Sequence, residues 1–502
     1  MASFRANIVA NLGGAAWIAG LTIAITPLQI RLLGIEAYGL VALISVLQIA
    51  VAVLDLGLSA TVTRQIAADA PHRNKSSLDL IDTASTVYWL IALLIAAAIY
   101  AGAPVLAANW FRGATLSQTE VTQGIQLIAA YVALRWPVAF YAGVLSGVQR
   151  MDVLNVIKAG SVTLRLGGGL VLLLIFPSLM AFLSWFVASA MLELLGYAIA
   201  CYRLLPGMSM QPRFSLATVR QVWRFSAAMN LIAIISVFLT QTDRFVVGTL
   251  LGLEALGYYS LAYNTAHGIA LIPLAISGAS LPAFSSAFGR DDEEQLRSRQ
   301  DKASQVIIYT VVLPCFALVF FGHDILRLWV GVQEADASWA ALLLLAVGFL
   351  LNAIVYTSYI VAIACGRPGL VLKVNLVGLA LYLPSLYVGT LYFGIEGAAA
   401  CWLVLNIYYL FSLVPLVQRG LLRQSFGGWL SENVTPFVLV GLACFGAPKI
   451  ALQLGAVESL SVGVGALVLG TCAYCVAGYF LLSAALRRDL WEVLGRPWMS
   501  RT

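Results

Sequence analysis

The sequence LLGIEAYG at residues 32–39 recurs as LLGLEALG at residues 250–257, and six of the eight positions are identical. Each copy is flanked by long apolar stretches, so it occupies a turn between two hydrophobic segments. Leucine, alanine and glycine match easily in an apolar chain, and the shared Glu36 and Glu254 therefore carry most of the weight. The recurrence, 218 residues further along the chain, predicts that the protein consists of two similar halves.

Apolar stretches long enough to cross a bilayer, about 20 residues each, recur along the whole chain. Hydrophobic residues make up 61% of the 502 positions and charged residues only 10%, whereas soluble domains contain about 25% charged residues. The sequence therefore predicts an all-α polytopic membrane protein. The 14 predicted spans are at residues 8–30, 39–62, 84–108, 123–147, 155–176, 181–202, 225–249, 256–282, 304–322, 339–365, 370–393, 397–417, 433–453 and 460–486.

Lysine and arginine are unequally divided between the two faces that these spans define. Of the 29 basic side chains, 22 lie on the face that carries both termini, five lie on the other face and two lie inside spans. By the positive-inside rule, the richer face is cytoplasmic. We therefore expect both termini and the loop 285–303 in the cytoplasm, and the loops at Gly113 and Ala335 outside. The longest outer loop is expected at residues 322–338. Because the basic residues lie in short loops, we expect no nucleic acid as a partner.

Six predicted spans separate the two copies of the octapeptide. Because six is even, the two halves have the same orientation in the membrane, and substrate sites in such proteins lie between the halves. We expect an N-terminal lobe at residues 1–210 and a C-terminal lobe at residues 211–423. Residues 424–502 add a helix pair and a cytoplasmic tail outside the repeat.

The first copy and its surroundings resemble a known family. The pattern LGxExYG at residues 33–39, followed by LDLGL at residues 54–58, is similar to the polysaccharide-flippase branch of the multidrug/oligosaccharidyl-lipid/polysaccharide exporter superfamily. Asp243 and Arg244, together with the second octapeptide that follows them, are similar to the start of that family's second lobe. The terminal helix pair is a departure, because many members of the branch have twelve helices.

The resemblance covers about residues 5–420 and implies a V-shaped carrier with two lobes around a central cavity. On this resemblance, the protein flips undecaprenyl-pyrophosphate-linked oligosaccharide from the cytoplasmic to the external leaflet by alternating access. The expected location is the bacterial inner membrane, and the expected partner is a lipid-linked anionic oligosaccharide, with a proton or sodium ion as candidate coupling ion. A monomer is expected.

Four charged side chains lie inside predicted spans of the first half: Asp55, Arg135, Arg165 and Glu193. Each charge costs about 2.5–3.5 kcal/mol at the centre of a spanning helix, so each needs a reason. Helix rise places Asp55, Arg165 and Glu193 about 14–15 Å from the cytoplasmic ends of their helices and Arg135 about 18–20 Å. These groups form structural ion pairs, such as Arg165 with Glu193, or at least one arginine faces the cavity and binds pyrophosphate.

Arg135 is the arginine that we expect to bind pyrophosphate. If Arg165 and Glu193 satisfy each other, Arg135 has no carboxylate partner except Asp55. Asp55 and Glu193 are the candidates for ion coupling, because an acidic group near the middle of the membrane is a common coupling device in transporters.

The second half places polar and aromatic side chains at helical spacing inside its spans. Such stripes either line a wet cavity that binds sugar hydroxyls or join neighbouring helices. The candidate substrate-binding residues in this half are Asn230, Gln241, Asn264, Asn352, Tyr356 and Tyr359. Asp243 and Arg244 lie near the external end of their span, where they form either a local pair or an external gate.

Two other classes of function are the alternatives. A cation-coupled multidrug antiporter of the same superfamily needs uncompensated acid in its cavity. A membrane-embedded polysaccharide-processing enzyme needs clustered carboxylates, a metal site or a large outer loop, and the nearest candidate, Asp324 beside His323, is isolated in the sequence. We therefore expect a transporter rather than an enzyme, with no cofactor and no metal.

Overall fold

The computed structural model describes residues 4–52, 59, 62–63, 66, 75–110, 115–205, 216–455 and 460–488. These residues are almost entirely helical, and no strand occurs among them. The chain divides into two compact units, Met1–Gly257 and Tyr258–Thr502. The all-helical class is confirmed.

The first unit contains seven described helices and the start of an eighth. They are α1 (Phe4–Leu33), α2 (Ile35–Ala52), α3 (Lys75–Trp110), α4 (Gln118–Gly147), α5 (Met151–Ile175), α6 (Leu179–Leu204), α7 (Leu216–Leu251) and α8 (Leu253–His267). The predicted lobe boundary at residues 210/211 precedes α7, whereas the unit boundary follows it because α7 packs against α2 and α3. The division into two lobes stays a prediction.

The second unit continues from α8 through a short 3-10 turn, Gly268–Ala270. Its helices are α9 (Leu271–Phe288), α10 (Glu293–Trp329), α11 (Val332–Ala364), α12 (Pro368–Gly420), α13 (Phe426–Asn433), α14 (Thr435–Gly441), α15 (Ala447–Leu454) and α16 (Leu460–Leu481). A π-helical segment, Leu442–Gly446, joins α14 to α15.

Ten of the described helices are long and apolar enough to span a membrane, and a bent pair, Leu253–Ile276 with Ser280–Phe288, adds an eleventh. Two shorter apolar helices, Gly20–Leu33 and Ile35–Ile49, lie at the predicted first and second spans. The 53-residue helix α12 breaks at Gly394, where φ is 62°. A straight helix of that length would measure about 80 Å, far more than the hydrocarbon core of about 30 Å. The described helices are compatible with about 10 to 14 spans, and the count of 14 stays a prediction.

The expected outer loop at residues 322–338 is wrong. Helix α10 continues to Trp329 and α11 starts at Val332, so only Val330 and Gly331 lie between them. Ala335, expected in that loop, is fully buried in α11. Asp324, His323 and Asp336 are compatible with helix because they lie near helix ends, where Asp324 pairs with Lys449 and His323 contacts Asp336.

The terminal helices pack against the second unit. Tyr474 of α16 donates its hydroxyl to the carbonyl oxygen of Tyr309 on α10, at 3.1 Å, and the Tyr309 hydroxyl donates to the carbonyl oxygen of Cys475 at 2.9 Å. The two rings also stack, with centroids 5.8 Å apart. The described part of residues 424–502 is therefore an integral part of this unit.

Candidate functional site

One buried carboxylate on α6 holds two arginines from neighbouring helices. The Oε2 atom of Glu193 accepts from Nη1 of Arg135 on α4 at 2.8 Å and from Nη1 of Arg165 on α5 at 3.0 Å. The Glu193 side chain is 4% exposed, that of Arg165 12% and that of Arg135 27%. We call these three residues the arginine cluster.

The geometry corrects the expected pairing. Arg165 does pair with Glu193, but Arg135 shares the same oxygen and is not left without a carboxylate partner. The position along each helix was sufficient to predict that these three residues lie at a similar depth in the membrane. It could not show that α4 and α5 both turn their arginines towards the same face of α6.

The arginine cluster has one negative and two positive charges. A guanidinium carries five N–H donors, and each arginine gives one of them to Glu193. Among the described residues, Glu193 is the only carboxylate within salt-bridge distance of either arginine. The cluster therefore retains a formal excess of one positive charge and several N–H donors, a combination suited to phosphate oxygens.

Contacts on either side of the cluster fix α5 against α6. The indole Nε1 of Trp185 donates to the carbonyl oxygen of Arg165 at 3.2 Å. Gly168 allows this approach, because a Cβ there would lie 2.3 Å from Cζ2 of the same indole. One turn after Glu193, the Tyr197 hydroxyl reaches the carbonyl oxygen of Leu154 at 3.5 Å. The backbone that carries Arg165 is therefore held in place.

Two of the predicted site residues lie outside the described part of the structure. Asp55 falls in an undescribed stretch, and the side chain of Asn230 is likewise not described. The role of Asp55 in ion coupling and that of Asn230 in substrate binding stay predictions.

Near the end of α7, three polar residues are buried together. The Nη2 group of Arg244 donates to the side-chain oxygen of Gln241. The backbone N–H of Arg244 donates to Oδ1 of Asp243 at 2.8 Å, and Asp243 is fully buried. These contacts are those of a local polar group within one helix, and the external gate stays a prediction.

The polar and aromatic residues of α11 make two kinds of contact. The side-chain amide of Asn352 donates to Oδ1 of Asn406 on α12 at 2.9 Å, as in the interhelical alternative. The rings of Tyr356 and Tyr359 stack on each other with centroids 5.8 Å apart, and both side chains are partly exposed. Asn264 is exposed on α8.

A buried amide and hydroxyl network escaped the sequence analysis. Gln424 donates to Gln418 at 2.6 Å and to Gln300 at 3.2 Å, and Ser304 donates to Thr357 at 3.1 Å. Four of these side chains are joined by consecutive hydrogen bonds, and Ser304 with Thr357 forms a separate pair. We call the six together the glutamine network: Gln300, Ser304, Thr357, Ser358, Gln418 and Gln424. The signal that could have found them is the presence of neutral amides at the predicted cytoplasmic ends of apolar spans.

The pair His323–Asp324 is not isolated. Lys449 of α15 donates to Asp324 at 2.6 Å, and His323 contacts Asp336 at 2.7 Å. Each acidic group thus contacts a basic side chain near a helix end. Among the described residues, no group of three or more His, Cys, Asp or Glu side chains could hold a metal ion.

The fold and the arginine cluster together define a polytopic helical membrane protein with a charged site inside its spans. A family model described as Polysaccharide biosynthesis protein matches residues 4–288, and the chain belongs to this family. A second model, described as MatE, matches residues 228–388. The match confirms the resemblance to the polysaccharide-flippase branch of the exporter superfamily.

Two relatives in sequence carry informative names. A Shigella flexneri protein named as an O-antigen transporter is 22% identical over 398 residues, which cover 79% of this chain and 93% of that protein. The lipopolysaccharide biosynthesis protein WzxC of Escherichia coli K12 is 27% identical over 263 residues, covering 52% of this chain and 51% of the relative.

Solved structures of the superfamily share the fold. The lipid II flippase MurJ in an inward closed conformation has a TM-score of 0.72 at 14% identity, covering 96% of this chain and 98% of MurJ. An inward-facing multidrug resistance transporter of the MATE family has a TM-score of 0.63 at 15% identity, covering 85% of this chain and 96% of that chain. At these identities the likeness concerns the fold alone.

Proposed function

We propose that this protein flips a lipid-linked, pyrophosphate-bearing oligosaccharide from the cytoplasmic to the external leaflet of the bacterial inner membrane, for synthesis of a cell-surface polysaccharide. The observation that carries the proposal is the arginine cluster, two guanidiniums on one carboxylate oxygen in a chain of the polysaccharide biosynthesis family. The named relatives, an O-antigen transporter and a lipopolysaccharide biosynthesis protein, support the same substrate class.

The chemistry of the cluster suits an exchange of anions. With Glu193 ionised, the cluster has a formal excess of one positive charge, so an arriving pyrophosphate finds both attraction and unused N–H donors. Pyrophosphate oxygens then compete with the Oε2 atom of Glu193 for the two guanidiniums. Release on the other side is assisted when Glu193 returns to the arginines. The carboxylate thus prevents the arginines from holding the anion permanently.

Among the residues that the structure describes, we also propose Glu193 as the residue that couples transport to an ion. Protonation of this carboxylate would release both arginines for the substrate at once, because one oxygen serves both. A proton or sodium ion is the candidate coupling ion, and Asp55 is proposed as a second coupling group.

A multidrug antiporter is the alternative function, favoured by the match of the MatE model to residues 228–388. A carrier of organic cations needs an acidic cavity that is not already neutralised. The arginine cluster has the opposite sign, since its single carboxylate is outnumbered by two arginines. An anionic head group is therefore the better fit, and we propose no enzymatic activity.

The experiment that tests the function is a flipping assay in proteoliposomes with a labelled undecaprenyl-pyrophosphate oligosaccharide. The protein should transfer the label between leaflets. The variant Arg150→Ala is the control, because Arg150 pairs with Asp152 at an exposed turn and lies outside the cluster. Extrusion of cationic dyes against a proton or sodium gradient, without flipping of the oligosaccharide, would establish the antiporter instead.

The proposed orientation places both termini and the loop 285–303 in the cytoplasm. Single cysteines in a cysteine-free protein test it with a membrane-impermeant thiol reagent. Val332→Cys, at an exposed position near the start of α11, should react in intact cells. Arg290→Cys, exposed just after α9, should react only after the membrane is opened. The reverse labelling pattern would show that the protein has the opposite orientation in the membrane.

A further inference from the structure

The two copies of the octapeptide touch each other through glycine. A Cβ built on Gly39 would lie 2.2 Å from the carbonyl oxygen of Leu253 and 3.0 Å from the backbone nitrogen of Gly257. A Cβ built on Gly257 would lie 2.2 Å from the carbonyl oxygen of Ile35. All four residues belong to the first unit. No side chain fits at either glycine while the contact exists.

The contact is reciprocal, because each partner position in one copy has its equivalent in the other. Gly34 and Gly252 both adopt the left-handed conformation, with φ of 84° and 91°. In each copy this glycine donates to the carbonyl four residues before it and accepts from the amide four residues after it. The two turns therefore have the same backbone shape, and they meet as two equivalent surfaces do across a twofold axis.

The surroundings of the two copies differ. The side chain of Glu36 is buried in the first copy, where its Oε2 atom accepts from the backbone N–H of Thr115 at 2.7 Å and from the Thr115 hydroxyl. Glu254, the equivalent residue of the second copy, is exposed. The first copy is thus fastened to the segment that precedes α4 through a buried glutamate, whereas the equivalent glutamate of the second copy is exposed.

We propose that Gly39 and Gly257 form the closing point of the external entrance, a contact that exists in the externally closed state and separates each time the protein opens to the outside. The contact is mainly one of backbone against backbone, so it can form and break with little repacking of side chains. Glycine is required at both positions because any Cβ prevents closure. The inference rests on the proposed transport by alternating access.

The first test uses a reporter that does not depend on the substrate. Leu253→Cys in a cysteine-free protein places a thiol at a position that is 1% exposed. A membrane-impermeant maleimide applied to intact cells should label it slowly. Adding Gly39→Ala, or separately Gly257→Ala, should raise the labelling rate at least about fivefold and abolish flipping. The control is Gly20→Ala on α1, the helix that precedes the first turn, where a Cβ meets no atom within 4 Å; labelling should stay at the parent rate.

A second test leaves both glycines in place. Ile35→Cys and Leu253→Cys are joined by a reducible bifunctional thiol reagent, which holds the turns together. Flipping should stop while the bridge is intact and return after reduction. Flipping that continues across an intact bridge would show that the contact is static packing. Normal flipping and an unchanged labelling rate in both alanine variants would also overturn the proposal. So would a bridged protein that transports when the alanine variants fail to insert into the membrane. If labelling rises as expected but no oligosaccharide moves in any variant, the gate stands and the proposed substrate is wrong.

Discussion

The two units stabilise their buried polar groups in different ways. Inside its spans the first unit uses ions, with Glu193 between Arg135 and Arg165. The second unit uses neutral groups, the glutamine network and the pair Asn352–Asn406. Its described ion pairs, such as Asp324 with Lys449, lie near helix ends. The two units therefore differ in the chemistry of their interiors.

This difference separates two requirements of a carrier. A buried ion pair is a poor source of net stability, because the desolvation of both charges offsets their attraction. Neutral hydrogen bonds contribute about 0.5–1.5 kcal/mol each without that penalty. We infer that the second unit's network serves packing, whereas the first unit keeps charges inside the membrane because they act on a charged substrate.

The largest effect should follow removal of the shared carboxylate. In Glu193→Gln two guanidiniums lose their only described partner, and the loss of one member of a buried pair costs about 3–5 kcal/mol. We expect a strongly lowered thermal unfolding temperature in detergent. The control Asp152→Asn breaks an exposed pair and should leave that temperature nearly unchanged.

A double variant sharpens this result. Combining Glu193→Gln with Arg165→Gln removes one of the unpaired charges and should recover part of the lost stability. If Glu193→Gln is as stable as the parent protein, the cluster is not a buried ion pair in the membrane, and the contrast between the units disappears.

The second prediction concerns function. Arg135 is the more exposed arginine of the cluster, at 27% against 12% for Arg165, and should make the greater contribution to anion binding. Arg135→Ala should reduce flipping to background at normal protein level, whereas Arg165→Ala should retain part of the rate. Arg135→Lys should restore flipping only partly, because the charge is kept and the planar set of donors is lost.

The assay is flipping in proteoliposomes, normalised to inserted protein, with Arg150→Ala as control. If Arg135→Ala exports polysaccharide at the parent rate, this arginine is purely structural. The substrate would then not be bound by the arginine of the first unit.

The sequence was sufficient for the class of fold because apolar stretches and the bias of basic residues report directly on a bilayer. It also placed Arg135, Arg165 and Glu193 near one depth. The partners could not be assigned, since a helix that is apolar on its lipid face and its core face gives no signal of how it is rotated. The repeat likewise identified Gly39 and Gly257, but only three-dimensional packing shows that the two turns meet.

The error at residues 322–338 has a related cause. Charged residues such as His323, Asp324 and Asp336 interrupt the apolar stretches here, and such interruptions are typical of loops because charged residues are rare within spans. They are compatible with helix because they lie near helix ends and meet partners there, one of them Lys449, more than 100 residues away in sequence. Partners at that distance are not visible in a local pattern.

The third prediction addresses the neutral side of the comparison. Asn406 is fully buried, accepts from Asn352 at 2.9 Å and donates to the carbonyl oxygen of Trp402 at 2.8 Å. Asn406→Ala should lower stability by about 1–3 kcal/mol, since it leaves buried partners unsatisfied. Flipping per folded molecule, measured in the same proteoliposomes, should stay at the parent level. A loss of flipping larger than the loss of folded protein would move the substrate site into the second unit.

The smallest expected effect belongs to the stacked tyrosines of α11. If Tyr356 offers its ring to a sugar, Tyr356→Leu should weaken apparent substrate affinity by a few fold, in line with the about 0.5–1.5 kcal/mol that an aromatic contact contributes. The second unit contains a matched control, because Tyr309 and Tyr474 stack at the same centroid distance, 5.8 Å, as Tyr356 and Tyr359. Tyr474→Leu should lower stability, since that ring is fully buried, and should leave the affinity of folded protein unchanged. The measurement is the concentration of lipid-linked oligosaccharide at half-maximal flipping. Equal shifts in the two variants would mean that Tyr356 acts through packing alone, and recognition of the substrate would then rest on the charged first unit.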